Sequence, residues 1–357
     1  MTTSARIDAA LLEEWDPFPL PGILPASPLA EAVSFDFRRP VPLGVDSAVA
    51  PVTLALAGAN LVIAGAVCSG VSRAAQHAAA AAALDPAAEL SVFDRYGLSG
   101  ADWWPFAKVA TRIVDSSGGH DGVLEALTGL AEGIEERHAR TSAGGAAEAG
   151  RFAPHLVVVA SAEHFTCDHV DGPAITEVLA AIARRGPGIG YSLLLTSHWP
   201  ESFLYRGEFR HAIEHRLVLH EPDAHRSAVV LGEGVERRLG VSAGDLRRLG
   251  SGILSDGREG RPVHGYFLDN DSLKGIYRHG ARGRRRALTP RRCSVSRWRA
   301  SSRSPTPDPG IAARPARDST AEFALPRAGH RLPAGTAAGC KYVRDRYRAD
   351  QWPREGQ

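Results

Sequence analysis

Short aliphatic runs alternate with amphipathic stretches between Val41 and Leu268, and that alternation indicates the class of fold before any single residue is considered. Pro42–Asp46 and Val52–Leu56 are apolar segments around a turn and read as a hairpin. Leu61–Ala64 then reads as a buried strand, Arg73–Leu84 as an alanine-rich helix and Glu89–Phe93 as a second buried strand. Leu124, Leu127, Leu130 and Ile134 fall at helical spacing within Asp121–Arg140, and Ile175–Arg185 forms another helical pattern. His155–Ala160, Tyr191–Leu195 and Arg216–Leu219 are continuous apolar runs, as expected of strands covered on both faces. Gly252–Leu254 and Val263–Leu268 are expected to add edge strands. Strands alternating with helices predict an α/β fold with a doubly wound, mostly parallel sheet.

The ends of the chain lack this pattern. Residues 1–40 contain Pro17, Pro19, Pro21, Pro25, Pro28 and Pro40 after a short helix candidate at Ile7–Trp15, and are expected as an arm or linker. From about Gly280 apolar periodicity gives way to Arg, Pro, Ala and Ser, so residues 271–357 are expected as a basic, disordered tail. Asp102-Trp103-Trp104-Pro105-Phe106 is an aromatic cluster whose expected role is core packing or a turn staple.

One strand leads into chemistry. Leu61–Ala64 runs into Gly65-Ala66-Val67-Cys68-Ser69-Gly70-Val71-Ser72 and then a helix, the arrangement of a phosphate loop. In G-x-x-x-x-G-K-[ST], backbone N–H groups close around phosphates, Lys reaches the β- and γ-phosphates, and the hydroxyl holds Mg²⁺. Gly65, Gly70 and Ser72 keep the spacing, while Val71 occupies the Lys position. Other donor clusters carry less. His164, Cys167, Asp168 and His169 match no zinc spacing and read as a solvated loop, and Cys68 reads as a passive small residue of the phosphate loop.

Composition narrows the class further. With 44% apolar residues over 357 positions the chain can bury a large core, and no run of 18 apolar residues suggests a membrane span. Four cysteines (68, 167, 293 and 340) lie far apart without C-x-x-C spacing, which predicts reduced thiols and a cytoplasmic protein. The net charge of +2 conceals an asymmetry: residues 281–357 hold 18 Lys and Arg against 6 Asp and Glu, the remainder 24 against 34. Such a tail suits phosphate contacts to double-stranded DNA, with Arg282, Arg284, Arg285 and Arg286 as candidates. An abrupt Arg/Pro/Ser-rich change is also what a shifted coding frame in a GC-rich gene produces.

Taken in order, these segments resemble the FtsK/SpoIIIE family of RecA-like DNA-translocating ATPases, in the forms found with actinobacterial mobile elements and conjugative plasmids. The resemblance is carried by Pro42–Asp46 with Leu61–Ser72, by Phe93–Gly97, by Asp102–Phe106 and by Ile182–Gly190 leading to Pro200. Phe209-Arg210 with Arg216, Val230–Gly234 and Leu249–Leu254 continue it. It implies a RecA-like P-loop NTPase domain over residues 41–270 that binds ATP and Mg²⁺ and works in a homo- or hetero-oligomeric ring on double-stranded DNA. By the same resemblance Gly65, Ala66, Val67, Cys68, Ser69, Gly70, Val71 and Ser72 bind nucleotide, Ser72 holds the metal, and Arg216 lies near a subunit interface.

The departures from the family fall on its catalytic positions. Val71 replaces the Lys. The carboxylate pair after the second core strand becomes Ser161-Ala162 in one register and Ala162-Glu163 in the other, so the metal-supporting Asp is absent and Glu163 is the surviving acid candidate. The sensor Gln becomes His198. Three readings follow: a non-hydrolysing subunit or relic that binds nucleotide weakly and engages DNA or a partner ring; an active translocase for plasmid transfer or DNA segregation; and a structural ATPase-like module of a secretion motor. The absence of a winged-helix pattern argues against directional chromosome segregation.

Overall fold

The computed structural model describes residues 26–95, 102–115, 120–145, 148, 150–167, 170–204, 207–246 and 248–288. Ten strands form one sheet in the order β2-β1-β10-β9-β8-β3-β7-β6-β4-β5. They are β1 (Val41–Val45), β2 (Pro51–Leu54), β3 (Leu61–Ala64), β4 (Glu89–Phe93), β5 (Arg112–Val114), β6 (His155–Val159), β7 (Tyr191–Ser197), β8 (His215–Leu219), β9 (Ser251–Ser255) and β10 (Gly260–Gly265). From β8 to β5 every pairing is parallel. β8 to β2 is an antiparallel extension. The predicted mostly parallel sheet is therefore present, with its hairpin β1–β2 at one end.

The continuous apolar strands have the predicted cause. Leu61 and Ile63 of β3, Leu156 and Val158 of β6, and Leu217 and Leu219 of β8 belong to one core. Val62, Ala64, Val157, Val159 and Val218 belong to a second core on the opposite face. Period-two side-chain alternation thus fills two layers. Helix α1 (Val71–Leu84) lies in the first layer, its residues from Ala75 to Leu84 all buried. α2 (His120–Gly144) and α4 (Gly172–Arg185) lie in the second, with α3 (Ala162–Cys167) between β6 and α4. α5 (Glu201–Leu204), α6 (Gly207–His211), α7 (Ala224–Leu231) and α8 (Val235–Leu239) follow, and α9 (Asn270–Leu288) packs back on α1.

Several expectations are corrected. β9 and β10 are interior strands, each paired on both sides, because the β1–β2 hairpin adds beyond them. Residues 26–40 belong to the body: Leu29 and Phe37 are buried in the α1 layer, and the Phe37 N–H donates to Asp85 at 2.9 Å. The proline spacing masked two large apolar side chains. Residues 270–288 likewise form a helix of the body, where Leu273, Ile276, Tyr277 and Ala281 supply an apolar stripe at helical spacing. The aromatic cluster is core, as expected, with Trp103 and Phe106 fully buried. The candidate helix at Ile7–Trp15 and the chain after residue 288 lie outside the described residues.

Candidate functional site

The site forms where β7, β3 and β8 end together. Ala64 pairs with Ser197 on one side and Val218 on the other, so Gly65 emerges between His198 and Leu219. The Ala66 N–H donates to the His220 carbonyl at 2.9 Å. His198 Nδ1 lies 2.8 Å from the Gly65 carbonyl oxygen, and the Gly250 N–H donates to the Ser69 carbonyl at 3.2 Å. The loop is therefore pinned from three directions. A side chain at Gly65 would place its Cβ 2.6 Å from Ser69 Oγ, and Gly70 sits at φ +104°, so both glycines are required by the backbone. Cys68, exposed at the loop's tip, has φ +67°, a left-handed conformation that costs a non-glycine residue about 1–2 kcal/mol.

Gly70 caps α1 without a side-chain bond, leaving the first-turn N–H groups for an anion. A cavity of about 400 Å³ opens there. Val67, Cys68, Gly70, Val71 and Ser72 of the loop line it, with His198 at its edge. Val71 contributes wall rather than reach: it is 3% exposed and packs in the first core layer. The segment expected to bind nucleotide thus forms a loop and a helix start, and no ammonium reaches the cavity from the Val71 position.

Glu163 does not line the cavity. It is buried in α3, where Oε1 accepts the His198 N–H at 3.2 Å and Oε2 has no partner among the described residues. Burial pushes its carboxyl above the usual range, against opposing bonds from the Ser197 hydroxyl and the His198 amide. Ser161, just past β6, sits at φ +51° with its N–H donating to Thr196 Oγ1 at 2.8 Å. The carboxylate that lines the cavity is Asp102. Tested against Mg·ATP, the donor set accommodates the phosphates' negative charge but does not provide the carboxylate at the end of β6 that would support a metal beside Ser72. No group of three metal-ligating side chains exists among the described residues.

The remaining candidates separate. Arg216 is buried on β8, donating from Nη2 to the Arg210 carbonyl at 3.1 Å and packing against Gly257. It pairs with Val62, two residues before the end of β3, and is not among the residues that line the cavity. Arg284 is held by the carbonyls of Ala83 (2.7 Å) and Ala82 (3.3 Å) in the last turn of α1 and of Ala88 (2.9 Å) just before β4, which corrects its reading as a phosphate contact. Arg282 and Arg285 are exposed on α9, and the Arg286 side chain lies outside the described residues, as do Asp168 and His169. Sequence reasoning missed His77, Tyr266, Phe267 and Leu249, all of which line the cavity. The signal for His77 was its place, beside the equally buried Gln76, in an alanine-rich run.

The same architecture recurs in solved ATPases. The conjugation coupling protein TcpA of pCW3, solved in monomer form with ATPγS, is similar over 73% of this chain and 75% of its own, at 17% identity and a TM-score of 0.59. EssC ATPases 2 and 3 from Geobacillus thermodenitrificans are similar over 75% of this chain and 52% of theirs, at 15% identity and 0.57. The cytoplasmic domain of the type VII secretion ATPase EccC from Thermomonospora curvata is similar over 77% of this chain and 34% of its own, at 18% identity and 0.53. This chain thus spans about a third to a half of the secretion ATPases. Its sequence matches no protein-family profile and no curated protein. The chain shares the α/β fold of these ATPases, built on a mostly parallel sheet.

Proposed function

We propose that this chain is a non-hydrolysing subunit of an FtsK/SpoIIIE-type assembly, binding nucleotide weakly and engaging double-stranded DNA through basic residues near its C-terminal end. The observation that carries the reading is Val71, whose side chain belongs to the core where the family's Lys would meet phosphate. The chemistry of phosphoryl transfer is almost wholly positioning and charge stabilisation. Losing one preorganised donor costs about 2.7–4 kcal/mol in the transition state, or roughly 10²–10³-fold in rate. Val71, Ser161-Ala162 and His198 belong to one constellation, so their losses do not add simply, yet two of them bring hydrolysis near background.

The DNA partner follows from the charge of residues 281–357, and the likeness to a conjugation coupling protein supports it. Assembly into a ring in the cytoplasm belongs to the same reading. Likeness to EssC and EccC favours a second one, a structural ATPase-like module of a secretion motor. Val71→Lys tests the first. The substitution is expected to tighten ATP binding while leaving phosphate release at background, since the carboxylate and Gln positions stay unfilled. Full turnover from that one change would overturn the assignment of Ser161, Ala162 and His198.

A further inference from the structure

Exposed apolar side chains gather at the mouth of the cavity. Of the six large hydrophobic residues that are exposed among the described residues, Val67 (53%), Leu249 (45%) and Phe267 (41%) all line it. Apolar side chains scattered singly over a surface call for no explanation, but three around one opening mark a face that something covers. The chain itself arrives at this place. Ala26 makes an isolated parallel bridge with Phe267. Ser27, the next residue, is buried, and its Oγ lies 2.7 Å from Nε2 of His77, another residue of the cavity wall. The same oxygen accepts the Leu29 N–H at 3.1 Å. Residues 26–29 are thus fastened to the wall of the cavity, and the 25 residues before them start from its rim.

Those residues carry the matching chemistry. Trp15, Phe18, Leu20, Ile23 and Leu24 fall close together, interleaved with Pro17, Pro19, Pro21 and Pro25. Each proline ring fixes φ and removes an N–H, so such a stretch loses less freedom on docking and gives up fewer hydrogen bonds to water. Attachment at Ala26 holds it beside the opening at an effective concentration on the order of millimolar, which a separate partner would have to exceed. We propose that Trp15–Leu24 docks on Val67, Leu249 and Phe267 as an intramolecular stopper over the phosphate-loop cavity. The cover itself requires no nucleotide. Its consequence, that a phosphate-bearing ligand must displace it, rests on the nucleotide-binding reading above.

Cys68, exposed at the tip of the loop and lining the same cavity, is the probe. Its rate of maleimide labelling in the full-length protein is followed by peptide mass spectrometry, which separates it from Cys167, Cys293 and Cys340. Phe18→Ser combined with Leu20→Ser should speed labelling of Cys68 and tighten ATP binding by the same factor, since both report the uncovered fraction. A segment docked about nine-tenths of the time gives about tenfold in each. A synthetic peptide of residues 12–25 added to the double variant should slow labelling again, and a peptide carrying both substitutions should not. Equal labelling of the wild type and the double variant would overturn the stopper and leave the nucleotide-binding reading standing. Faster labelling that the peptide does not reverse, as from a variant that fails to fold, would also overturn it. Wild-type protection lost on dilution would assign the cover to a second copy, against the proposal. Faster labelling that the peptide reverses, with no ATP binding by either protein, would uphold the stopper and overturn the nucleotide-binding reading.

Discussion

Two buried ionisable residues flank the phosphate loop and titrate in opposite senses. His77 is held down to about 4 from an ordinary 6.5, so the folded state binds fewer protons than the unfolded chain across that interval. Stability is present above it and is lost as pH falls from about 6.5 to about 4, on the order of 3 kcal/mol. Glu163 is displaced upward from its ordinary 4.5, so the folded state holds the proton more tightly and stability is lost as pH rises from there. His77→Leu should flatten the acid limb of a urea-unfolding pH profile, and Glu163→Gln should raise stability at neutral pH. Unchanged profiles would mean that neither group is buried as described. Proximity alone assigns no chemistry: Ser91 Oγ lies 2.8 Å from His155 Nε2, and His155 Nδ1 2.9 Å from Glu89 Oε2, the spacing of a hydrolase triad. Ser91 is fully buried within β4, and the trio fastens the start of β6 to β4.

At the level of elements, α1 is held between the sheet and α9, and its alanines let α9 approach closely. A Cβ on Gly280 would overlap the Ala83 carbonyl oxygen. Arg284, which donates to the carbonyls of Ala82 and Ala83 in the last turn of α1 and to that of Ala88 beyond it, supplies both capping and a favourable charge at a helix C-terminus. Arg284→Ala should therefore destabilise the protein by about 2 kcal/mol in denaturant unfolding. A change within error would show that the contact contributes nothing. The apolar strands and α1 were legible because burial on both faces leaves an unbroken aliphatic record in the sequence. α9 was not, because its stripe of Leu273, Ile276, Tyr277 and Ala281 is embedded among arginines whose charge dominated the reading. β5 was missed for the opposite reason, a three-residue edge strand with little apolar content. The loop's spacing and its missing Lys were readable, whereas the cavity's inner wall comes from β1, α1 and the segment after β10, residues that only the fold brings together.

For the whole molecule, the boundary between body and basic extension moves from residue 270 to the end of α9 at Leu288. A chain ending at 288 should retain cooperative unfolding and lose most affinity for duplex DNA, because the arginines from Arg291 onward are removed with the deleted segment. One ending at 270 should be markedly destabilised through loss of α9. Log affinity of the full chain for DNA should fall linearly with log salt, with a slope of about −0.9 per phosphate contact, and be indifferent to sequence. Unaltered affinity and slope after truncation at 288 would place the DNA site in the α/β body. The central claim is that a P-loop ATPase fold persists here without its chemistry, and steady-state phosphate release by the full-length protein, with ATP and Mg²⁺ and with or without duplex DNA, tests it most directly. The account predicts release indistinguishable from background in both conditions, and DNA-stimulated turnover near or above about 1 s⁻¹, ordinary for phosphoryl-transfer enzymes, would contradict it.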